Sequence, residues 1–200
     1  MLTAVDLTTL QALTWQVRLM SEPQLETLGT GISRIRRLVR SGYIEPVTVL
    51  VRPHAIEAPL IDLGPRDPEP HYGKVSYVLK RRQSLPCRPT RAFVATEKAS
   101  ALVGGRGGPL RHPFQADHDH AVASVFIHYL RTAPEVAATW LGEDAIPRVL
   151  RKRIKVVPDA VTFGAGGAMR VEEFGGAYDA DRLEALCRWS IDSGLSYRVW

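Results

Sequence analysis

The chain has 200 residues, of which 45% are hydrophobic and 24% are charged, and its formal net charge is +5. This composition is typical of a soluble globular protein of one large or two small domains. No apolar run approaches the length that crosses a bilayer, and the N-terminus lacks a basic region followed by an apolar core. We therefore expect a cytoplasmic protein without a membrane partner. Cys87 and Cys187 have no metal-ligand spacing and are expected as thiols in a reducing compartment, although a disulfide stays open.

The charge is distributed unevenly along the chain. Residues 1–115 contain 16 Lys and Arg against 9 Asp and Glu, whereas residues 116–200 contain 10 against 12. A basic first half and a slightly acidic second half indicate two domains, the first of which meets a polyanion.

Three short helices are predicted before residue 44. Thr3 and Asp6 resemble a capping box that begins the first helix, and Ser21 with Gln24 begins the second. The third covers residues 31–41 and ends at Gly42. At about 100° per residue, one side of this third helix is apolar and the other is basic. The apolar side contains Ile32, Ile35, Leu38 and Val39, and the opposite side contains Ser33, Arg34, Arg36, Arg37, Arg40 and Ser41.

The pattern changes to that of strands after this helix. Residues 44–51, 60–63 and 75–79 are predicted as strands from their β-branched residues and alternation. Three helices followed by a hairpin predict a winged helix-turn-helix, whose last helix enters the major groove of DNA. A strand at 93–96 and a helix at 98–103 would close this domain, and the GGRGG run at residues 104–108 marks its end. We expect a first domain at 1–108 and a second at 109–200. The alternative, that this run cradles a phosphate, lacks the Gly-Lys-Ser/Thr ending.

The winged-helix prediction assigns roles to the basic residues. Early residues of a recognition helix reach base edges, so Ser33, Arg34 and Arg37 are the candidates for base contacts. Arg36 and Arg40 are then expected on phosphates. A second basic stretch, for which a solvated linker is the alternative, follows the predicted hairpin and contains Lys80, Arg81, Arg82, Arg88 and Arg91.

The second half predicts a helix at 117–132, strands at 136–141, 156–163 and 169–174, a helix from Asp179, and a strand at 196–200. The order is therefore α-β-β-β-α-β in a chain of α+β class. His118, Asp119 and His120 are adjacent on a helix and do not converge on one ion, so helix capping and a packed histidine are favoured over a metal site.

This order, with Pro158-Asp159 on one strand and Glu172 on the next, resembles the core of the PD-(D/E)xK nuclease superfamily, a restriction-endonuclease-like fold. The resemblance implies that Asp159 and Glu172 are catalytic residues that hold a divalent metal such as Mg²⁺. The position of the family's lysine is occupied by Phe174. A basic group could come instead from Lys155 or Arg170, and a register using Glu173 would place Gly175 at the lysine position. We therefore expect an inactive domain without a cofactor.

The whole layout also resembles the replication-relaxation proteins of bacterial plasmids and mobile elements. The resemblance rests on ISRIRRLVRSGYI at 32–44, FVATEKASALV at 93–103, HAV at 120–122, PDA at 158–160, and VE at 171–172. The family usually has Glu-x-Asp where this chain has Glu172-Glu173-Phe174, so the match is partial. It implies a protein that binds DNA during replication or transfer of a mobile element. The segment EEFGGAY at 172–178 has no chemical role that the sequence indicates.

The sequence thus predicts a DNA-binding protein whose winged helix binds duplex DNA and whose second domain serves dimerisation or contact with replication or transfer proteins. A homodimer is expected because winged-helix proteins often bind repeated half-sites. Two alternatives stay open. One is an Mg²⁺-dependent DNA endonuclease using Asp159 and Glu172, and the other is a protein-interaction adaptor that binds no DNA.

Overall fold

A computed structural model of the chain describes residues 1–64, 66–110, 113–151, 157–164 and 167–200. It is a mixed α+β structure with two sheets. The first unit consists of Met1–Val51 and Cys87–Ile127, and the second unit consists of Arg52–Pro86 and His128–Trp200. The boundary predicted at residue 108 does not coincide with these units, because residues 52–86 leave the first unit between two of its strands.

The first unit begins with the three predicted helices. They are α1 (Ala4–Gln11), α2 (Glu22–Thr27) and α3 (Ile32–Arg40), and α1 continues as a π-helical turn at Ala12–Gln16. Both predicted capping boxes are present: Thr3 with Asp6, and Ser21 with Gln24. Each box satisfies two backbone N–H groups that the first helical turn leaves without partners.

A three-stranded antiparallel sheet completes the core of the first unit. Its strands are β1 (Met20–Ser21), β2 (Ile44–Val51) and β4 (Arg88–Ala95), in the order β1-β4-β2. Strands β2 and β4 pair from Ile44 opposite Ala95 to Val51 opposite Arg88. One face of the sheet contributes Val49, Val51, Ala92 and Val94 to a buried cluster with Leu19. Helix α5 (Glu97–Val103) follows β4, as predicted.

The GGRGG run at 104–108, predicted to mark the end of the first domain, packs tightly within the first unit. The Arg106 N–H donates to the Thr14 carbonyl, and the Gly108 N–H donates to the Ala95 carbonyl. A Cβ atom on Gly107 would lie 2.1 Å from the Thr96 carbonyl oxygen. Glycine is therefore needed here for close approach of two backbones.

The second unit is built on a five-stranded sheet of order β3-β8-β7-β6-β5. The strands are β3 (Ile61–Leu63), β5 (Leu141–Gly142), β6 (Ala160–Phe163), β7 (Met169–Glu173) and β8 (Ser196–Val199). Strands β7 and β8 are parallel and the other neighbours are antiparallel. The helices described in this part of the chain are α4 (Tyr72–Gln83), α7 (Pro134–Ala137), α8 (Arg148–Arg151) and α9 (Ala180–Asp192). Helix α6 (Ala116–Thr132) begins in the first unit and ends in the second.

Three predicted strands differ from the structure. Residues 75–79 belong to helix α4, where Val75 and Leu79 lie four residues apart in one buried cluster with Leu183 of α9. Residues 136–141 are mainly the end of α7 and a turn, because Pro134 suits a first helical turn. Strand β6 begins at Ala160, so Asp159 precedes it. Part of the strand predicted at 156–163, part of the turn at 164–167, and Lys155 lie outside the described residues.

The uneven charge of the two sequence halves does not correspond to the two units. The first unit contains 10 Lys and Arg against 7 Asp and Glu, and the second contains 16 against 14. The difference arises because residues 52–86, which are basic, belong to the second unit, and because Asp117 and Asp119 belong to the first. Binding of a polyanion would therefore depend on local basic surfaces and not on the net charge of either unit. In the described parts of the chain, no helix has both the length and the apolar character that a membrane span requires.

Candidate functional site

Helix α3 is held in the first unit by its apolar side. Ile35 and Leu38 are buried, whereas Ile32 remains 37% exposed. Gly31 and Ser41 cap the two ends of the helix, after which Gly42 adopts a positive φ of 69°. The apolar side predicted from the sequence is therefore only partly used for packing.

Arg34 and Arg37 bind Asp6 of α1. The distance is 3.2 Å from Arg34 Nη1 to Asp6 Oδ1 and 2.6 Å from Arg37 Nη2 to Asp6 Oδ2. The Asp6 side chain is fully buried and also accepts hydrogen bonds from the backbone N–H and hydroxyl of Thr3. Burial opposes its charge, but the hydrogen bonds from Thr3, Arg37 and Arg34 hold the pKa of Asp6 well below its usual range. Arg34 and Arg37, which were predicted to contact bases, are thus held against α1 by ion pairs.

Ser33, Arg36 and Arg40 are exposed on α3. Within the described part of the chain, neither Arg36 nor Arg40 has an ion-pair partner. Both line a groove of about 440 Å³ together with Ser33 and with Arg91 of β4. We call this the α3 groove. Its remaining lining is apolar and consists of Ile32, Ile35 and Val39. Among the residues that the structure describes, no carboxylate lines it.

The β2–β4 hairpin extends the surface beside the groove. Arg91 is the cross-strand partner of Thr48, and Leu50, two residues further along β2, is 60% exposed. Partners across an antiparallel pair share a face of the sheet, as do residues two apart. The guanidinium carbon of Arg91 lies 5.3 Å from the centre of the Phe93 ring, which fixes its position on this face.

The predicted second basic stretch is divided between the units. Lys80 and Arg81 are exposed in the last turn of α4, where Arg82 is partly buried, and burial lowers the pKa of Arg82. Arg88 and Arg91 lie on β4 in the first unit. The stretch is therefore not one continuous segment of a linker, and only Arg91 belongs to the α3 groove.

Glu172 of β7 is the centre of a buried hydrogen-bond network. Its Oε1 accepts from the Tyr129 hydroxyl at 2.8 Å and the Thr162 hydroxyl at 3.1 Å, and its Oε2 accepts from Trp200 Nε1 at 2.8 Å. Arg198 Nη1 donates to the Tyr129 oxygen at 2.6 Å. Burial raises the pKa of Glu172, while the hydrogen bonds from Trp200, Tyr129 and Thr162 oppose that rise.

Asp159 does not pair with Glu172. Because Ala160 is the cross-strand partner of Glu172, these two residues share a face of the sheet, and Glu173 points to the other face. Asp159 Oδ2 accepts from the Phe174 backbone N–H at 2.7 Å. Burial raises the pKa of Tyr178, and the carboxylates of Glu173 and Asp159 both add to that effect. This register is closer to the alternative in which Glu173, instead of Glu172, is the partner of Asp159.

These positions do not fit a Mg²⁺ site formed by Asp159 and Glu172. Both oxygens of Glu172 already accept hydrogen bonds from protein groups, and Asp159 Oδ2 accepts from the Phe174 backbone N–H. Phe174, at the lysine position, is buried, and its ring centre is 5.0 Å from that of His54. Arg170 lies on β7 opposite Ser196; the hydrogen bond from Arg198 lowers the pKa of Asp62, and the charge of Arg170 adds a smaller effect. Among the described residues, no group of three or more His, Cys, Asp or Glu side chains could hold a metal ion.

The segment at 172–178 has a packing role that the sequence did not indicate. A Cβ atom on Gly175 would lie 2.8 Å from side-chain carbons of Leu79 and 3.0 Å from Val199. The Tyr178 hydroxyl donates to Glu173 at 2.5 Å, and the Ser76 hydroxyl donates to the Tyr178 carbonyl at 2.8 Å. The glycine therefore lets α4 approach the sheet, and the tyrosine fixes the chain that follows β7.

The histidine cluster and the cysteines also have structural positions. Asp119 is buried and its Oδ1 lies 3.3 Å from Arg18 Nη1, while the Gln24 amide donates to the His120 carbonyl at 3.2 Å. The start of α6 is thus attached to the first unit by polar contacts. Cys87 is exposed, Cys187 is buried, and both are free thiols.

Sequence reasoning missed the most informative partners of both sites. It did not identify Asp6 as the acceptor for Arg34 and Arg37, and it placed Arg91 in a phosphate-binding stretch away from the helix. It also missed Tyr129 and Trp200 as partners of Glu172. The capping box at Thr3 and Asp6 was the one local pattern that indicated an acceptor at Asp6. It does not indicate that arginines of α3 bind the same carboxylate. No protein-family model, curated protein or solved structure matches this chain.

Proposed function

We propose that the first unit is a winged-helix domain that binds duplex DNA. The support from topology is the order helix, strand, helix, helix, strand, strand, with the short strand β1 beside β4 and β4 beside β2. This order supports a winged helix, a fold in which the third helix lies in the major groove and the hairpin lies along the backbone. In this reading, α3 is the recognition helix and β2–β4 is the wing.

The observation that carries the proposal is the α3 groove. Three arginine side chains, Arg36, Arg40 and Arg91, meet there without a lining carboxylate among the described residues. A cationic concavity of this kind favours a polyanion, because bound cations on DNA are released when arginines replace them. The four arginines of α3 thus fall into two classes, since Arg34 and Arg37 are already paired with Asp6.

This division changes the roles that the sequence predicted. Ser33, Arg36 and Arg40 are proposed to contact bases and phosphates in the groove, with Arg91 on a phosphate of the same site. Arg34 and Arg37 are proposed to position α3 through Asp6. Lys80, Arg81 and Arg82 are not part of this surface, and their predicted phosphate contacts stay a prediction.

Binding to a random-sequence duplex of about 20 base pairs tests the proposal. Fluorescence anisotropy should show a dissociation constant that rises steeply with salt, since each phosphate contact releases a counterion. The double variant Arg36→Ala with Arg40→Ala should bind at least about tenfold more weakly, and its salt slope should fall by about two. The charge-matched control is Arg66→Ala with Arg148→Ala, which removes two exposed charges from the second unit. Unchanged affinity in the Arg36 and Arg40 variant would refute the proposal.

For the second unit, we propose a nuclease-like fold without the metal chemistry. The antiparallel strands β5, β6 and β7, followed by α9 and by β8 parallel to β7, support the predicted α-β-β-β-α-β order. The separation of Asp159 from Glu172 disfavours the Mg²⁺-dependent endonuclease. Homodimer formation, an adaptor role, and the replication or transfer process implied by the resemblance to replication-relaxation proteins stay predictions.

A further inference from the structure

The floor of the α3 groove is apolar although the groove is open to solvent. Ile32, Ile35 and Val39 line it beside the three arginines. Ile35 is buried, but Ile32 is 37% exposed and Val39 is partly exposed. Contact with phosphates would not bury the exposed side chains of Ile32 and Val39. A ligand with an apolar group would bury them, which would add to the free energy of binding.

Duplex DNA presents one apolar group on the base edges of its major groove, the C5-methyl of thymine. Guanine presents O6 and N7, which arginine binds with two parallel hydrogen bonds. We propose that the α3 groove reads a thymine methyl through Ile32, next to a guanine that is bound by Arg36. This inference rests on the proposed function and specifies the sequence class that the site selects.

The spacing along α3 fits neighbouring base pairs. Ile32 is the first residue of the helix, and early residues of a recognition helix reach base edges. Arg36 is four residues further on, about one turn and about 6 Å along the axis from Ile32, and it lies beside Ile32 where the apolar side of α3 meets the basic side. Base pairs are spaced by about 3.4 Å. The thymine and the guanine are therefore expected within about two base pairs of each other.

The experiment uses the full chain and duplexes selected from a random pool. In the best-bound duplex, each thymine is replaced in turn by deoxyuridine, which removes only the C5-methyl, and the dissociation constant is measured by anisotropy. One or two positions should lose about fourfold in affinity, the effect expected for burying one methyl group. Because this change is made in the DNA, it does not depend on the folding of any variant.

A double-mutant cycle then assigns the methyl contact to the protein. The Ile32→Ala variant should bind the thymine duplex more weakly than the unmodified chain does. At the position where deoxyuridine weakens binding of the unmodified chain, the variant should bind the thymine and deoxyuridine duplexes equally well. Leu102→Ala is the matched control, since Leu102 is 49% exposed on α5 and does not line the groove. This control should keep the full response to deoxyuridine.

The failures of the two proposals are distinguishable. If every deoxyuridine duplex binds like its parent while Arg36→Ala with Arg40→Ala loses affinity, the methyl inference is wrong and the proposed function stands. A selection that returns no shared thymine near guanine also overturns the inference. If the arginine variant binds DNA as tightly as the unmodified chain, both proposals fail.

Discussion

Asp6 determines which arginines of α3 are held in ion pairs within the first unit. Its buried carboxylate occupies Arg34 and Arg37, and Arg36 and Arg40 are left exposed on the same helix. The same side chain also completes the capping box of α1 with Thr3. One carboxylate thus fixes the start of α1, joins α1 to α3, and separates arginines that hold the structure from arginines that are available to a ligand.

The Asp6→Asn substitution should destabilise the first unit in a pH-dependent way. The pKa of Asp6 is lower in the folded chain than its unfolded value of about 3.9. Its contribution to stability is therefore present above about pH 4 and is lost as the pH falls toward the folded-state pKa. We expect Asp6→Asn to lower the free energy of unfolding at pH 7 by about 1–3 kcal/mol. Urea denaturation between pH 2.5 and pH 7 measures this.

The matched control for Asp6→Asn is Glu26→Gln, which removes an exposed carboxylate from α2 in the same unit. It should change stability by less than about 0.5 kcal/mol. The unmodified chain and the control should both lose stability below pH 4, and Asp6→Asn should lose less over that range. Equal pH profiles for all three proteins would contradict the assignment.

The loop at residues 104–108 shows how an element without regular structure can be as constrained as a strand. Its backbone N–H groups bond to Thr14 and Ala95, and two of its glycines contact backbone carbonyls. A glycine-rich composition is typical of flexible segments, but here residues 104–108 are closely packed. Chain flexibility therefore cannot be deduced from glycine content alone.

The Gly107→Ala substitution should destabilise the first unit. The added Cβ would lie 2.1 Å from the Thr96 carbonyl oxygen, so the backbone must shift. Forcing extra atoms into a packed site costs about 1–3 kcal/mol, which lowers the melting temperature. Gly31→Ala is the control, because nothing lies within 4 Å of a Cβ atom at that position. Thermal unfolding followed by circular dichroism should separate the two, and equal melting temperatures would refute the packing argument.

The sequence predicted local features better than long-range partners. The capping boxes, α3, α6, α9 and β8 follow from residue types within a few positions of each element. Helix α4 was missed because valine and tyrosine at 75–78 resemble a strand until Val75 and Leu79 contact Leu183, more than 100 residues away. At the site, the exposure of Ser33, Arg36 and Arg40 followed from helical periodicity. The pairing of Arg34 and Arg37 with Asp6 did not, since it joins helices about 30 residues apart.

Considered as a whole, the molecule is not two consecutive domains. The chain leaves the first unit after Val51, contributes residues 52–86 to the second, and returns at Cys87. Each unit is thus built from two separate segments. A division at residue 108 would remove Ala116 from the core cluster of the first unit and β3 from β8 of the second.

Fragments test this organisation. A fragment of residues 1–108 should unfold without a cooperative transition, because it lacks the start of α6 and carries β3 and α4 without their partners. A chain joining 1–51 to 87–132 through a short Gly-Asn linker should melt cooperatively, since Val51 and Arg88 are paired neighbours. Differential scanning calorimetry distinguishes the two. Cooperative melting of the 1–108 fragment would show that residues 1–108 fold by themselves, although the structure divides them between the two units.

The pairing of β2 with β4 has a consequence for the order of folding. A tight hairpin closes over a few residues, but here residues 52–87, a loop of 36, separate Val51 from Arg88. Loop-closure entropy rises by about 0.6 kcal/mol for each doubling of loop length, and non-local pairs form late. Helices α1 to α3 can therefore assemble before the sheet does. Strand β4 can join that sheet only after residues 52–86, which belong to the other unit, have been synthesised.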